Sequence, residues 1–270
     1  MPNEFQVFRL TPPRDIRELF RRMDVCEGIP FGALMNQAEE DNFFRLWSRG
    51  QTKSVKSWHA DFVEAILGKK KDNQKGRDLS YAEIKIIPVV LPQIPSKSSK
   101  FRHWPVPKEE TKLCSFSYND LLNTEFIHSS IYRKLSSILF VPIAWGPKKD
   151  REPHDYFSMY MVNSFMWIPN TTLISKLEAD YNEVRSSLIS QLKQPLTFTE
   201  TGVLELDLFR KKTASISFQK SGGGQLGSDS TKLNYAGKQY KVKVKTWWLS
   251  KSFTYQLMQY VMFDRPAFEV

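Results

Sequence analysis

The chain has 270 residues, 41% of them hydrophobic and 13% aromatic, which excludes a disordered protein and leaves room for one large domain or two small ones. Its formal charge of +10 points to a polyanionic partner, nucleic acid in the simplest case, against the plainer reading of a soluble protein carrying surplus lysine. The two distant cysteines, Cys26 and Cys114, give neither a disulfide framework nor a thiolate metal site, and no apolar run approaches the ~18 residues of a membrane span. With no signal-peptide core in MPNEFQVFRL, the expectation is a soluble cytoplasmic protein of a reducing compartment.

In chain order, Asp15–Met23 puts Ile16, Leu19 and Phe20 on one face with arginines on the other, and Glu39–Trp47 is a second short amphipathic segment. Both read as packing helices. Ser57–Gly68 is a stronger helix: Trp58, Phe62 and Ile66 recur at a spacing of four, Ser57 can cap the start and Gly68 the end. Glu64 lies off that apolar stripe. Lys69–Arg77, KKKDNQKGR, follows with five basic residues to one acid. A solvated loop is the ordinary reading of such a run; its place between Glu64 and Asp78 also suits a grip on a phosphate backbone, the reading preferred here.

Ala82–Leu91 is β-branched and apolar enough to be a strand, closed by Pro88 and Pro92. Side chains two apart on a strand share a face, so Glu83 and Lys85 point one way, roughly 7 Å apart, and Ile84 and Ile86 face a core. A turn over Arg77–Tyr81 would fold Asp78 back toward that pair. Two carboxylates and an ammonium around one point suit phosphodiester hydrolysis: the acids hold a hard divalent cation, which lowers the pKa of its water, and the lysine counters developing charge. Asp, Glu and Lys are common enough that the spacing alone decides nothing, and a surface strand with an ordinary Glu/Lys pair stands beside the catalytic reading.

Pro92–Pro107 reads as an extended connection, Asn119–Ser136 as a helix, Ile138–Trp145 as a buried strand and Met159–Ile168 as the next strand. From Asn170 a long helix carries Leu173, Leu177, Val184, Leu188 and Leu192, and Pro195 stops it. Val203–Phe209 alternates as a half-buried strand. Between Leu208 and Lys251 stand ten Lys/Arg against one acid, Asp229. Gln239–Leu249 places Lys241, Lys243 and Lys245 on one strand face opposite Val242 and Val244, ahead of Trp247 and Trp248, which suits a DNA-contacting surface. The bland alternative makes the tryptophans core and the lysines plain solvent face. Ser221–Ser230 is a glycine-rich flexible loop. His59, His103, His128 and His154 show no ligand spacing and read as packing or surface residues.

Five segments taken together resemble the MutH family of DNA endonucleases, which includes the mismatch-repair strand nickase and related type II restriction enzymes. They are KSWHADFVEAILG (56–68), RDLSYAEIKIIPV (77–89), RKLSSILFVPIAW (133–145), NSFMWIPN (163–170) and WWLSKSFTYQLM (247–258), in the family's order. The resemblance implies the PD-(D/E)xK restriction-endonuclease-like α/β fold: a mixed central sheet flanked by helices, in two lobes around a DNA cleft. The whole of 1–270 would be one such domain, with residues 1–110 catalytic and 111–270 reading DNA. It also implies the catalytic set Glu64, Asp78, Glu83 and Lys85, with Asp78, Glu83 and Glu64 holding Mg²⁺. Lys56, Lys134, Arg210, Lys211, Lys212, Trp248 and Lys251 would contact DNA.

Two departures bear on function. The gap from Asp78 to Glu83 is shorter than in the nickase, so the turn is tighter. Trp248 stands where the nickase has a tyrosine that helps read GATC, and a base contact is worth about 1–3 kcal/mol of discrimination, so catalysis carries over better than target sequence. The expected function is a Mg²⁺-dependent type II restriction endonuclease on double-stranded DNA, with a cognate methyltransferase acting on the same site without having to bind this chain. One triad makes one cut, so cleaving both strands calls for a homodimer on DNA or two encounters. The alternatives are a strand-nicking mismatch-repair endonuclease and a non-catalytic DNA-binding module of the same fold.

Overall fold

The computed structural model describes residues 11–49, 52–69, 78–90, 105–115, 117–144, 152–208, 214–220 and 230–263, with the side chains of 52–57, 217–220, 230 and 260–263 outside the description. It is a mixed α/β protein whose chain divides into two compact units, one of 1–109, 138–167 and 259–270, the other of 110–137 and 168–258. Residues 138–167 join the N-terminal part because their strand completes its sheet. Among the described residues no helix is long and apolar enough to cross a membrane.

The first unit packs helices on one face of a four-stranded mixed sheet. Helix α1 (Ile16–Cys26) starts where the Asp15 side chain accepts the N–H groups of Arg17 and Glu18. After the single turn α2 (Phe31–Leu34), helix α3 (Gln37–Ser48) opens on a capping box between Asn36 and Glu39. Helix α4 spans Thr52–Ile66, so it begins five residues before Ser57, and Ser57 is an interior residue, not the cap expected of it. The stripe itself is as expected: Trp58, Phe62 and Ile66 are buried. Trp58 stacks on Phe62 with ring centres 4.9 Å apart and meets Phe43 of α3 edge-on at 4.9 Å. Such aromatic pairs contribute about 0.5–1.5 kcal/mol beyond the area they bury. They fix α4, and with it Glu64.

Strand β1 (Glu83–Val90) runs parallel to β4 (Ile138–Ala144), with Glu83 opposite Ile138 and Lys85 opposite Phe140. Strand β2 (Val106–Pro107) pairs antiparallel with the far end of β1, so the segment expected to be wholly extended connection ends as an edge strand. Strand β5 (Phe165–Trp167) pairs antiparallel with β4 and completes the order β2-β1-β4-β5. It is shorter than the strand expected over Met159–Ile168; Asn163 at φ +44° breaks the extended run, and Met161 makes only isolated bridges. Ile84, Leu139, Val141 and Ile143 belong to the core that the helices cover. Every residue of β4 is buried, which is why its sequence is apolar without alternation.

The second unit is built on strand pairs that are antiparallel with one parallel exception. Strand β3 (Thr111–Ser115) leads to α5 (Tyr118–Asn123), a 3₁₀ turn at Phe126–His128 and α6 (Ser130–Leu135). The single helix expected over Asn119–Ser136 is therefore broken. Ser117 caps the first piece, and Ser129, accepting the N–H of Tyr132 with its hydroxyl, caps a new start at Ser130. The 22-residue helix α8 (Thr171–Leu192) begins on the Asn170 cap, as the sequence implies, and buries Leu173, Leu177, Val184, Leu188 and Leu192; α7 is the short Pro153–Phe157 turn of the first unit. Strand β6 is only Val203–Leu204. Strands β7 (Ile216–Lys220), β8 (Ser230–Tyr235), β9 (Lys238–Lys243) and β10 (Lys245–Leu249) complete two three-stranded sheets, β3-β10-β7 and β6-β9-β8, before helix α9 (Lys251–Phe263).

Candidate active site

Helix α4 ends in a Schellman turn. Gly68 at φ +82° donates its N–H to the carbonyl of Ala65, and the N–H of Lys69 reaches back to that of Glu64. Only glycine takes that backbone conformation without strain. The fully buried Arg22 braces the same end, donating from Nη1 to the carbonyl of Leu67 at 3.3 Å and from Nη2 to Glu18 at 2.5 Å. The turn returns Lys69 over the last helical residues. Its Nζ lies 2.8 Å from Glu64 Oε2 and 2.6 Å from Asp78 Oδ1.

Asp78 comes to this point through a tight turn in which Leu79 and Ala82 exchange backbone hydrogen bonds. Its other oxygen, Oδ2, accepts the N–H of Ile84 at 2.9 Å. The carboxylate is thus tied to the start of β1, as a turn folding back toward the strand requires. The Tyr81 hydroxyl holds the turn by donating to the carbonyl of Asp15. On β1 itself Lys85 Nζ lies 2.7 Å from Glu83 Oε1, so the two share a face; Glu83 is buried and Lys85 half-buried.

The charges act on one another. Burial pushes Asp78 up, but the Lys69 hydrogen bond, the charge of Lys85 and the Ile84 N–H together outweigh it and hold its carboxyl below the ordinary aspartate value. Glu64 goes the other way: burial dominates the opposing Lys69 contact and raises it. Lys69 loses stability as a cation by burial and regains more from Asp78 and Glu64, so its pKa is raised and it stays protonated.

Glu64, Asp78, Glu83 and Lys85 all stand at the N-terminal end of β1 and the C-terminal end of α4. Lys69 joins them. From sequence it belongs to a phosphate-gripping run; in the structure its ammonium is the link between two of the acids, while the rest of that run lies outside the described residues. The signal was local: a lysine directly after a helix-ending glycine, five residues beyond a glutamate. Among the described residues no three His, Cys, Asp or Glu side chains form a ready-made cation cage. Two of the acids share Lys69 and the third is paired with Lys85. The donor set still fits a hard divalent ion, since these are carboxylate oxygens already gathered around a positive charge.

The residues expected on DNA are distributed differently. Arg210, Lys211 and Lys212 lie outside the described residues, and Lys56 is a residue of α4 whose side chain does. In the second unit Lys134 sits half-buried in the last turn of α6, and Lys251 is exposed at the start of α9. Trp248 is half-buried, and its buried indole N–H has no hydrogen-bond partner among the described residues. Trp247 is core, stacked on Tyr181 at 6.0 Å. The lysine stripe of one strand divides: Lys241 and Lys243 are exposed on β9, but the chain leaves that sheet at Val244, and Lys245 is buried with Nζ 3.3 Å from the carbonyl of Leu206. Lys245 is therefore not part of a solvent face. Of the histidines, His59 is buried in α4, while His128 and His154 are exposed.

The family described as "DNA mismatch repair enzyme MutH" matches residues 67–180, a stretch that contains Lys69, Asp78, Glu83 and Lys85. The DNA mismatch repair protein MutH of Yersinia pseudotuberculosis serotype IB (strain PB1/+) is 24% identical over 220 residues, covering 80% of this chain and 84% of that protein. The MutH of Yersinia pestis (strain Pestoides F) is similar at the same identity and coverage. The family match takes in the turn and strand that carry Asp78, Glu83 and Lys85 and begins just after Glu64.

Proposed function

We propose that this MutH-like chain is a divalent-metal-dependent endonuclease that hydrolyses phosphodiester bonds of double-stranded DNA, with Mg²⁺ as its metal. The observation that carries the reading is the constellation of Asp78, Glu83 and Lys85 at the head of β1, inside the stretch that matches the family, joined by Glu64 just ahead of that stretch. Asp78 and Glu83 would hold the ion, with Glu64 binding directly or through water; bound there, it would supply an acidified water and offset charge on the phosphate. The Ile84 N–H fixes the Asp78 carboxylate so that one oxygen stays turned toward the cluster. Lys85 orients the attacking water and counters charge growing on the phosphate oxygens. Water attacks phosphorus, the bond to the leaving oxygen breaks, and that oxygen takes up a proton.

The comparisons favour the strand-nicking repair form over the restriction form expected from sequence. The restriction reading keeps one observation of its own: Trp248 lacks the hydroxyl of a base-reading tyrosine, and its buried N–H offers DNA no replacement donor. A two-lobed cleft for the duplex belongs to either form. Incubating the purified protein with supercoiled plasmid and Mg²⁺ separates them. Linear product supports restriction; nicked circles, or inert protein rescued by a partner, support repair. Asp78→Ala and Lys85→Ala should each lower cleavage by at least about 10²–10³-fold while leaving DNA binding largely intact. Undiminished cutting by either variant overturns the assignment.

A further inference from the structure

The acid cluster already contains a cation, and it is a side chain. Lys69 Nζ touches Glu64 Oε2 and Asp78 Oδ1 at 2.8 and 2.6 Å, so these two oxygens are no farther apart than the sum of those distances. A metal ion bridging them would stand where the ammonium stands. We propose that Lys69 is the internal counter-ion of the metal-free site, and that a divalent ion binds by displacing it. The inference rests on the nuclease reading above and adds a fifth residue to it.

Charge supports the exchange. Counted over these five described side chains alone, three carboxylates (Glu64, Asp78, Glu83) against two ammonium groups (Lys69, Lys85) leave one net negative charge. Trading Lys69 for a divalent ion leaves none, whereas adding the ion without that trade makes the cluster net positive in a half-buried place. Geometry supports it as well. The Schellman turn at Gly68 fixes the backbone of Lys69, so the residue is delivered to the acids by the fold rather than by chance contact of a loose chain. Its four-carbon stem nevertheless lets the ammonium swing out without moving that backbone, which a bidentate arginine fork would resist. With Lys69 in place its attraction works against the repulsion between Glu64 and Asp78, and the acids are gathered before metal arrives. Once displaced, the ammonium remains tethered beside the site.

The test is direct metal binding to the full chain, without DNA. Mn²⁺ affinity is measured by calorimetry and by the paramagnetic signal of bound ion for the wild type, Lys69→Met, Lys69→Gln and Asp78→Asn. Hydrogen bonds to charged groups are strong enough that removing the competitor should tighten Mn²⁺ at least about tenfold in both Lys69 variants. In the wild type, saturating Mn²⁺ should raise the rate at which an amine-reactive ester labels Lys69 several-fold, read by mass spectrometry; this arm needs no substitution. Wild-type or weaker affinity in the Lys69 variants, or Lys69 labelling indifferent to Mn²⁺, overturns the displacement while leaving the metal site standing. Asp78→Asn binding Mn²⁺ as well as wild type instead removes the metal site and the nuclease reading with it.

Discussion

In the first unit Lys69 and Lys85 hold their ammonium groups 2.6–2.8 Å from carboxylates, whereas in the second Lys241 and Lys243 stand exposed along β9 with Val242 buried between them. The same residue type does two kinds of work. Half-buried and paired, a lysine shapes the charge of a small cluster and responds to whatever ion or phosphate enters it. Exposed on a strand, it acts through water on a polyanion, and its effect weakens with salt. The polar groups buried in the two units differ likewise. Glu83, buried in the first unit, belongs to the cluster at the head of β1, while Asp180 in the second accepts the N–H groups of Ser215 and Ile216 at 2.7 and 3.2 Å and serves architecture.

The contrast can be broken most forcefully at Asp180. Truncation by Asp180→Ala leaves two buried N–H groups without that acceptor and should cost about 3 kcal/mol, seen as a lowered unfolding midpoint in urea. Mn²⁺ binding at the acid cluster should survive under conditions where the variant remains folded. Loss of metal affinity in the folded variant would show that Asp180 and the acid cluster do not have separate roles.

A smaller effect is expected at the exposed lysines. Replacing Lys241 and Lys243 by alanine should weaken binding to all DNA sequences alike and flatten the dependence of log K on log salt by about 0.9 for each phosphate no longer neutralised. Stability should hardly change. An unchanged salt slope would remove β9 from the DNA-binding surface.

The smallest signal is in acid. Asp78 has a folded-state pKa below its ordinary value, so its contribution is fully present above about pH 4 and is lost as pH falls through the lowered value. Glu64 opposes this, because its raised pKa makes ionisation costly in the folded state and protonation relieves that cost. The stability gap between wild type and Asp78→Asn should therefore narrow as the pH of thermal unfolding is lowered from about 6 to about 3. A gap that is constant across this range would mean that Asp78 gains nothing from Lys69 and the Ile84 N–H.

Much of the acid cluster was legible in the chain because it is locally encoded. The apolar spacing of α4, the helix-ending Gly68, and the alternation that sets Glu83 and Lys85 on one face all depend on residues within a turn or two of each other. The role of Lys69 was equally local but was hidden by its neighbours, since a run of lysines reads as one solvated loop even when its first member turns inward. The second unit was harder to read for a different reason. Lys-Val alternation continues unbroken from Lys241 to Lys245, yet β9 pairs with β8 and β6, and β10 with β3 and β7. That exchange of partners at Val244 is decided by tertiary packing, and it buries Lys245 where the pattern would leave it in water. The break in the helix expected over Asn119–Ser136 likewise turns on the Ser129 cap, which competes with an otherwise acceptable helical pattern.

The account stands or falls on whether a metal ion takes its place at the head of β1 against a DNA phosphate. The direct measurement is a crystal of the protein with duplex DNA, soaked in Mn²⁺ and recorded at a wavelength where manganese scatters anomalously. The account predicts an anomalous peak within inner-sphere distance, about 2.0–2.2 Å, of an Asp78 carboxylate oxygen, with Glu83 on the same ion and Lys69 withdrawn. A duplex bound with no peak at Asp78 would contradict it and leave a non-catalytic DNA-binding module of the same fold.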